Sequence, residues 1–409
     1  MLLRTAPAER GKVLKTALGM IVRNVDTDEE ILRFVDNAER HGHKLDCAIV
    51  AYSHNLDRRA AGKINERIPL YAIDVKNPEF CLEQSRRLGM SETSRKALLE
   101  CPVDVGFGLV PYSYNRNIVL IEAMLRCMDI LIFVDNDVFP AVLKETSSKD
   151  EEVNRHNEIS EPVTEDVDFF GEHFKHLRAG SQITTGEYSG YNILPHAFFD
   201  GMEDLLFGLQ KSEMLEYWQN SGTHRCLALK PPEHRPVPVK KILGGNTAIT
   251  LSVFSKLPPF FSSHYIVDNE LYLNRGEDTV LGLGIAKCGI VCTDIGIYPF
   301  HDTYKNYPAE PDLRDDTDTQ NRFFYACTGW VGRNPFYNYL LGNDVKSVRE
   351  FQREHLERGL SALAGYTSNP KYNDVLRNFD VSWDSLERYI NEYENVLEAW
   401  GQFIKRSGY

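Results

Sequence analysis

The stretch DILIFVDNDVFP, Asp129–Pro140, decides how the chain is read. Its apolar run, ILIFV, drives straight into two aspartates one residue apart, Asp135 and Asp137. An unbroken apolar run of this length between polar residues predicts a strand buried on both faces, as in a parallel sheet. Such a strand delivers two like charges to its own C-terminal end, where each raises the cost of ionising the other. Two explanations are open at this point: something cationic sits there, or the loop is merely solvated.

Upstream, strand and helix signals alternate. TALGMIVRN, Thr16–Asn24, predicts a strand ending in polar residues. DTDEEILRFVDNAERHG then predicts a helix, with an acidic start, helical spacing at Ile31, Phe34 and Val35, and Gly42 at its end. KLDCAIVAYS and IPLYAIDV predict two further strands, and NRNIVLIEAMLRCMD predicts a buried helix leading into the opening stretch. This order implies an α/β fold, a mostly parallel sheet flanked by helices. Ligands of such sheets bind beyond the carboxyl ends of the strands. Asn24, Tyr52, Asp74, Asp135 and Asp137 all fall at such ends.

Downstream the signals change. Lys144–Glu165 is charged and poor in apolar residues, which predicts an excursion. VDFFGEHFKHLR predicts a helix, and FFDGMEDLLFGLQKSEMLEYW a second, long one. KKILGGNTAITLSVFSKL predicts a strand, a glycine turn and another apolar stretch. NRGEDTVLGLGIAKCG predicts a loop opening a helix at Glu277 and Asp278, and IVCTDIGIYPFHDTY a strand pair ending at His301. Beyond about Pro308 the pattern turns helical, so a C-terminal helical extension is expected. The implied division is residues 1–305 as one α/β unit, in halves at 1–140 and 141–305, followed by a helical subdomain at 306–409.

With 409 residues the chain can bury a full core. A formal net charge of -13 argues against a general nucleic-acid binder. No apolar run approaches the length of a membrane span. The opening MLLRTAPAERGKVLK is too short and too charged for a secretory signal, so a cytoplasmic address is expected. The cysteines are scattered, and Cys47, Cys288 and Cys292 predict buried free thiols rather than zinc ligands.

The carboxylate pair Asp135 and Asp137 suits a hard divalent cation, Mg²⁺ or Mn²⁺, whose shell is often completed by substrate phosphates. No Asp, Asn or Gly follows at calcium-loop spacing, so an EF-hand is excluded. Arg116 and Asn117, near a helix start, form a candidate phosphate-facing group, with a surface salt bridge as the plain alternative for Arg116. Gly244 and Gly245 in GGNTAI permit close backbone approach to a ligand, although most such pairs are simply turns. Glu277 and Asp278 could be chemistry or a helix start favoured by the dipole. His301, at a strand end, could complete a metal shell or be structural.

In this order, over about Thr16 to Tyr304, these motifs resemble the GT-A glycosyltransferases, most closely the family 2-like branch. That family shows an Arg-Asn pair before the D-x-D strand, a GGNTA loop on the acceptor side, and a Glu-Asp pair before a helix. Here Arg116 and Asn117, Asp135 and Asp137, Gly244 to Ala248, and Glu277 with Asp278 match it. There are departures: the first strand ends IVRN without the usual proline, and the second ends AYSHNLD rather than in an acidic-serine turn.

The resemblance implies a metal-dependent transfer of a sugar from a nucleotide-diphosphate sugar, of GDP-mannose or UDP-glucose type, to a small acceptor with inversion. Asn24, Tyr52 and Asp74 would meet base and ribose, with Arg116, Asn117, Asp135, Gly244, Gly245 and Asn246 completing the donor site. Asp135, Asp137 and His301 would hold Mg²⁺ or Mn²⁺, Asp278 would be the general base, and Glu277 would orient the loop or acceptor. Two alternatives stay open. A sugar-phosphate nucleotidyltransferase would want a glycine-rich basic loop after the first strand, where RNVDTDEE stands instead. A non-catalytic nucleotide-sugar-binding protein would not need the Glu277–Asp278 pair.

The acceptor has its own signal. HRCLALKPPEHRPVPVKK, His224–Lys241, concentrates Arg225, Lys230, Arg235, Lys240 and Lys241 in a proline-rich segment that predicts a semi-rigid loop. A positive stripe on an acidic protein concentrates an anionic partner, so an acceptor carrying phosphate or carboxylate is expected there; a solvated loop paired with the acidic excursion is the plain alternative. Self-association stays open.

Overall fold

The computed structural model describes residues 14–101, 110–143, 164–191, 197–215, 227–228, 235–240, 242–302 and 312–409. Most of the Lys144–Glu165 excursion and of the basic segment His224–Lys241 lies outside these described residues.

The expected strands are β1 (Thr16–Val25), β2 (Cys47–Leu56), β3 (Leu70–Asp74) and β4 (Ile130–Val134). Every residue of β4 is buried, as its unbroken apolar run requires. Between and around them lie α1 (Glu29–Arg40), α2 (Arg58–Arg67), α3 (Glu79–Arg87), α4 (Glu92–Leu99) and α5 (Tyr112–Leu125). The four strands pair in parallel, with β1 between β4 and β2, and β3 outside β2. Beyond β4 the eight-stranded sheet continues through Asn246–Thr250, Ile183–Thr185, Cys292–Asp294 and the edge strand Val237–Pro238. Asn246–Thr250 is antiparallel to both its neighbours, whereas Cys292–Asp294 and Ile183–Thr185 are parallel to each other. The sheet is therefore mostly parallel.

Two cores lie on its two faces, and the period-two alternation of the strands assigns them. Ala17, Ile21, Ile49, Ala51, Leu131 and Phe133 enter one core; Leu18, Met20, Val22, Ala48, Val50, Ile132 and Val134 enter the other. Ile31, Phe34 and Val35 of α1 and Ile64 of α2 cover the second face, joined by Phe169, Phe170 and Phe174 of the helix Phe169–Arg178. The first face is covered by α3 to α5 and by the long C-terminal helices Thr317–Leu341, Val345–Thr367 and Leu386–Ser407. That helical extension shares its core with the sheet. Trp400 Nε1 donates to the carbonyls of Phe254 and Leu257, and Arg406 Nη1 to those of Leu88 and Gly89. A helix-flanked, mostly parallel sheet with a C-terminal helical extension is the architecture expected from the sequence.

A second sheet of four short strands holds the loop after β4 in place. Phe300–His301 pairs antiparallel with Val138–Phe139 and parallel with Ser189–Tyr191. The Asp137 carbonyl accepts from the Asp302 amide at 2.8 Å, which fixes the late histidine beside the early aspartates.

Three sequence expectations are corrected. Of the long helix expected over FFDGMEDLLFGLQKSEMLEYW, the described residues form the helix Met202–Gly208 and a 3-10 turn at Ser212–Met214, and residues 216–218 lie outside them. Gln210 takes φ +55 there, and the Lys211 amide turns back to the Leu206 carbonyl, closing the helix. In KKILGGNTAITLSVFSKL the described strand begins after the glycines, at Asn246, and LSVFS is a 3-10 turn, Leu251–Ser255. Cys47 and Cys292 are buried free thiols, but Cys288 is only half-buried, with its thiol on the Lys256 carbonyl.

Candidate functional site

The carboxyl ends of β4, β1, β2 and β3 line one edge of the sheet. Register places Val22 beside Tyr52 and Tyr52 beside Asp74, while Asn24 lies opposite Asn55 after an irregularity in the β1–β2 ladder. Asn24, Tyr52 and Asp74 are all half-buried. Burial raises the Tyr52 phenol, and the neighbouring Asp74 adds to it.

Asp135 and Asp137 follow β4 and face different partners. Asp137 Oδ1 lies 3.2 Å from His301 Nε2, and its side chain remains 39% exposed. The ring of Tyr188 stacks on His301 at 4.4 Å, and its hydroxyl donates to Asp135 Oδ2 at 3.2 Å. Burial, reinforced by Asp135 and Asp137, pushes the Tyr188 hydroxyl well up, so it stays a donor. The other oxygen of Asp135 faces Arg116 Nη2 at 3.5 Å. Burial raises the Asp135 carboxyl against the opposing pull of Arg116. On the α1 side, Arg33 donates to the Asn136 carbonyl and lies 4.0 Å from the Phe139 ring, holding the middle of the loop.

Arg116 is the hub. Its side chain is 4% exposed, and Nε reaches Glu277 Oε1 at 3.0 Å while Nη1 donates to the Gly244 carbonyl at 2.7 Å. Phe133 and Phe260 flank the guanidinium at 5.2 and 5.9 Å. Burial works against its charge, but Asp135 and Glu277 outweigh it and hold the group protonated. The glycine pair is explained by this hub. A Cβ on Gly244 would stand 2.3 Å from Arg116 Nη2, and one on Gly245 2.1 Å from Asp135 Oδ2. The glycines therefore admit the protein's own charges, the buried Arg116 and the half-buried Asp135.

Glu277 and Asp278 begin the helix Glu277–Cys288 behind Gly276, which takes φ +89. Glu277 is buried, and burial followed by Asp278 raises its carboxyl despite Arg116. Asp278 is half-buried, and its Oδ1 accepts from the Thr279 amide at 2.7 Å.

Two residues expected in the donor site serve the framework instead. Asn117 exchanges both amide ends with the backbone of Phe260, at 2.8 and 2.9 Å. Asn246 donates to the carbonyls of Glu187 and Ile297 and accepts from His173, with no exposed surface. Burial lowers His173 to about 4, so it is neutral there. Both asparagines come from strings that carried the resemblance, and both pin separate segments together. Sequence reasoning missed Tyr188 and Arg33. Neither lies in a motif, and each meets the site only through long-range packing.

Among the described residues no three or more His, Cys, Asp and Glu side chains form a ready metal cage. The Asp137–His301 pair nevertheless fits a hard cation that keeps most of its shell for substrate phosphates and water. Among the described residues, no helix is long and apolar enough to cross a membrane.

No protein-family model matches the sequence, and no curated protein matches it. Among solved structures, the chain is similar to glucosyl-3-phosphoglycerate synthase from Mycobacterium tuberculosis in complex with Mn²⁺ and uridine-diphosphate-glucose. Identity is 13%, the match covers 81% of this chain and 80% of that one, and the TM-score is 0.36. The same enzyme in complex with uridine-diphosphate gives 13% identity, 81% of each chain and a TM-score of 0.35. A structure described only as a mycobacterial protein gives 12% identity, 77% and 74% coverage and a TM-score of 0.34. Overlap this loose places no individual residue.

Proposed function

We propose that the chain is a metal-dependent glycosyltransferase that moves a sugar from a nucleotide-diphosphate sugar to a small acceptor carrying phosphate or carboxylate, with inversion. The observation that carries this reading is the convergence of Asp135, Asp137 and His301 with the Glu277–Asp278 helix start, bridged by the buried Arg116. Asp137 and His301 would hold Mg²⁺ or Mn²⁺, which when bound offsets charge developing on the diphosphate. Asn24, Tyr52 and Asp74 meet the nucleoside end. Asp135, held by Tyr188 and Arg116, shapes the adjoining wall.

At the acceptor side Asp278 takes the proton of the acceptor hydroxyl as that oxygen bonds to the anomeric carbon. The bond from that carbon to the diphosphate breaks, and its electron pair leaves with the nucleotide. Asp278 suits the role because it is half-buried and, among the described residues, in no ion pair, whereas Glu277 is committed to Arg116. Glu277 and Arg116 therefore position the helix start.

The test is a donor screen, UDP-glucose and GDP-mannose first, read by released nucleotide diphosphate with and without Mn²⁺ or Mg²⁺. Asp278→Asn should retain donor binding and lose about two to four powers of ten in transfer, the span of a lost general base. Equal loss of donor affinity would move Asp278 to the nucleotide, and a retained anomeric configuration would rule out the inverting step.

A further inference from the structure

The basic segment His224–Lys241 was the expected place for an anionic acceptor group. What is described of it points elsewhere. Arg235 and Lys240 are exposed and flank the edge strand Val237–Pro238, which pairs with Cys292–Asp294. That strand lies four places from β4 in the sheet, roughly 19 Å at the usual strand spacing.

A different cation stands at the acceptor side. Arg333, from the long helix Thr317–Leu341, is only 8% exposed. Its side chain lies against the start of the Glu277–Cys288 helix. A Cβ on Gly276 would meet Arg333 Cδ at 2.9 Å and Nη1 at 3.1 Å. Tyr337 sits 5.3 Å from the guanidinium. Arg333 Nε is buried and has no hydrogen-bond partner among the described residues. A guanidinium so enclosed is costly unless its donors are met.

The Arg333 helix holds the Lys211 segment directly, with the Asn334 amide donating to the Leu209 carbonyl at 3.2 Å. Burial lowers the Lys211 ammonium, and Arg333 lowers it further. It reaches Glu213 at 2.9 Å and stacks over the Trp330 ring at 5.0 Å. Asp278 acts electrostatically on both cations. The helix start itself has no side-chain cap from Gly276, and its partial positive charge adds to theirs.

We infer that Arg333 and Lys211, with the helix start at Gly276, form an anion subsite that seats the phosphate or carboxylate of the acceptor next to Asp278. The inference rests on the transferase reading for the identity of the bound molecule as acceptor, but not for the binding itself. It gives the helical extension a direct task, since Arg333 belongs to it. It also sets a length limit, because the anion and the reacting hydroxyl must both lie near Asp278. The favoured acceptor is a short hydroxy acid or a phosphorylated one.

The experiment titrates inorganic phosphate into the full chain, with no donor present, and follows tryptophan fluorescence and calorimetry. The parent should bind, and phosphate should compete with acceptor in the transfer assay. Arg333→Gln should weaken phosphate at least tenfold and raise the acceptor KM with little change in the donor KM. Lys211→Ala, at a partly exposed position, should weaken phosphate several-fold without unfolding risk, and Arg333→Lys should recover part of the loss. Arg235→Ala with Lys240→Ala should bind phosphate like the parent. Parent-like binding by both Lys211→Ala and a folded Arg333→Gln overturns the subsite, as does loss confined to the Arg235 and Lys240 double variant. Phosphate binding that depends on Arg333 while no sugar nucleotide is consumed would instead sink the transferase reading and leave the subsite standing.

Discussion

Replacing Arg116 by methionine tests the centre of the site most directly. The change keeps an unbranched apolar stem between Phe133 and Phe260 and removes only the charge and its donors. It leaves Glu277, formerly at 3.0 Å, and Asp135, formerly at 3.5 Å, without their common cation, and it strips the Gly244 carbonyl of a 2.7 Å bond. Breaking a buried ion pair by deleting one partner costs about 3–5 kcal/mol. At about 1.4 kcal/mol per tenfold, that is roughly two to three and a half powers of ten in the folded-to-unfolded ratio. The two carboxylates can escape part of this by binding protons. Burial already raises both, and removing the cation that opposes burial raises them further. A carboxyl raised in the folded state binds more protons folded than unfolded, so the variant gains stability as pH falls through the folded value. The penalty should therefore be largest near about pH 8 and shrink toward about pH 5. Urea unfolding, followed by circular dichroism and fluorescence at both pH values, measures it. Glu277→Gln in the same chain should recover part of the loss. A penalty under about 1 kcal/mol, or one independent of pH and untouched by Glu277→Gln, would refute the buried hub.

The other expectations concern the loop after β4. Asp137→Ala should abolish Mn²⁺-dependent turnover and weaken Mn²⁺ binding measured by electron paramagnetic resonance, while the unfolding midpoint stays near the parent's because the side chain is partly exposed. Near-full activity at limiting Mn²⁺ would remove Asp137 from the cation. Tyr188→Phe keeps the ring on His301 and deletes the bond to Asp135, which should cost about 1.5–3 kcal/mol as a bond to a charged group and move the acid limb of the pH–rate profile upward. An unmoved acid limb would mean that Asp135 does not titrate in the working range.

Much of the α/β half was legible because buried parallel strands leave unbroken apolar runs and α1 and α5 keep helical spacing. ILIFV became β4, and the two aspartates emerged where the run ended. The strand ending at His301 was expected, but its pairing partners were harder to read for a physical reason. Phe300–His301 is a two-residue strand whose existence depends on Val138–Phe139 and Ser189–Tyr191, all distant in sequence. No local propensity encodes such pairing. The break after Gly208 was hidden because apolar spacing runs on through the point where Gln210 turns left-handed. Motifs also misled on roles. Asn117 and Asn246 stand in the expected strings, but each spends its amide on the backbone of other segments.

These roles are linked by one constraint. On the proposed transferase reading, a diphosphate site needs carboxylates for its cation and a base for the acceptor, which concentrates negative charge in one place. Asp135, Asp137, Glu277 and Asp278 converge there, and such clusters resist ionisation. The structure answers with cations of two kinds. Arg116 is sealed in and divides its charge between Asp135 and Glu277, so it fixes the two halves of the site relative to each other. Arg333 is also enclosed, yet its Nε is unmet among the described residues and its charge feels that of Asp278. One arginine is committed to the framework, and the other retains donor capacity for a ligand. Gly244, Gly245 and Gly276 lie where a side chain would collide with a guanidinium or with Asp135. Their smallness records the routes of Arg116, Arg333 and Asp135, which a reading of glycines as ligand-facing turns could not reveal.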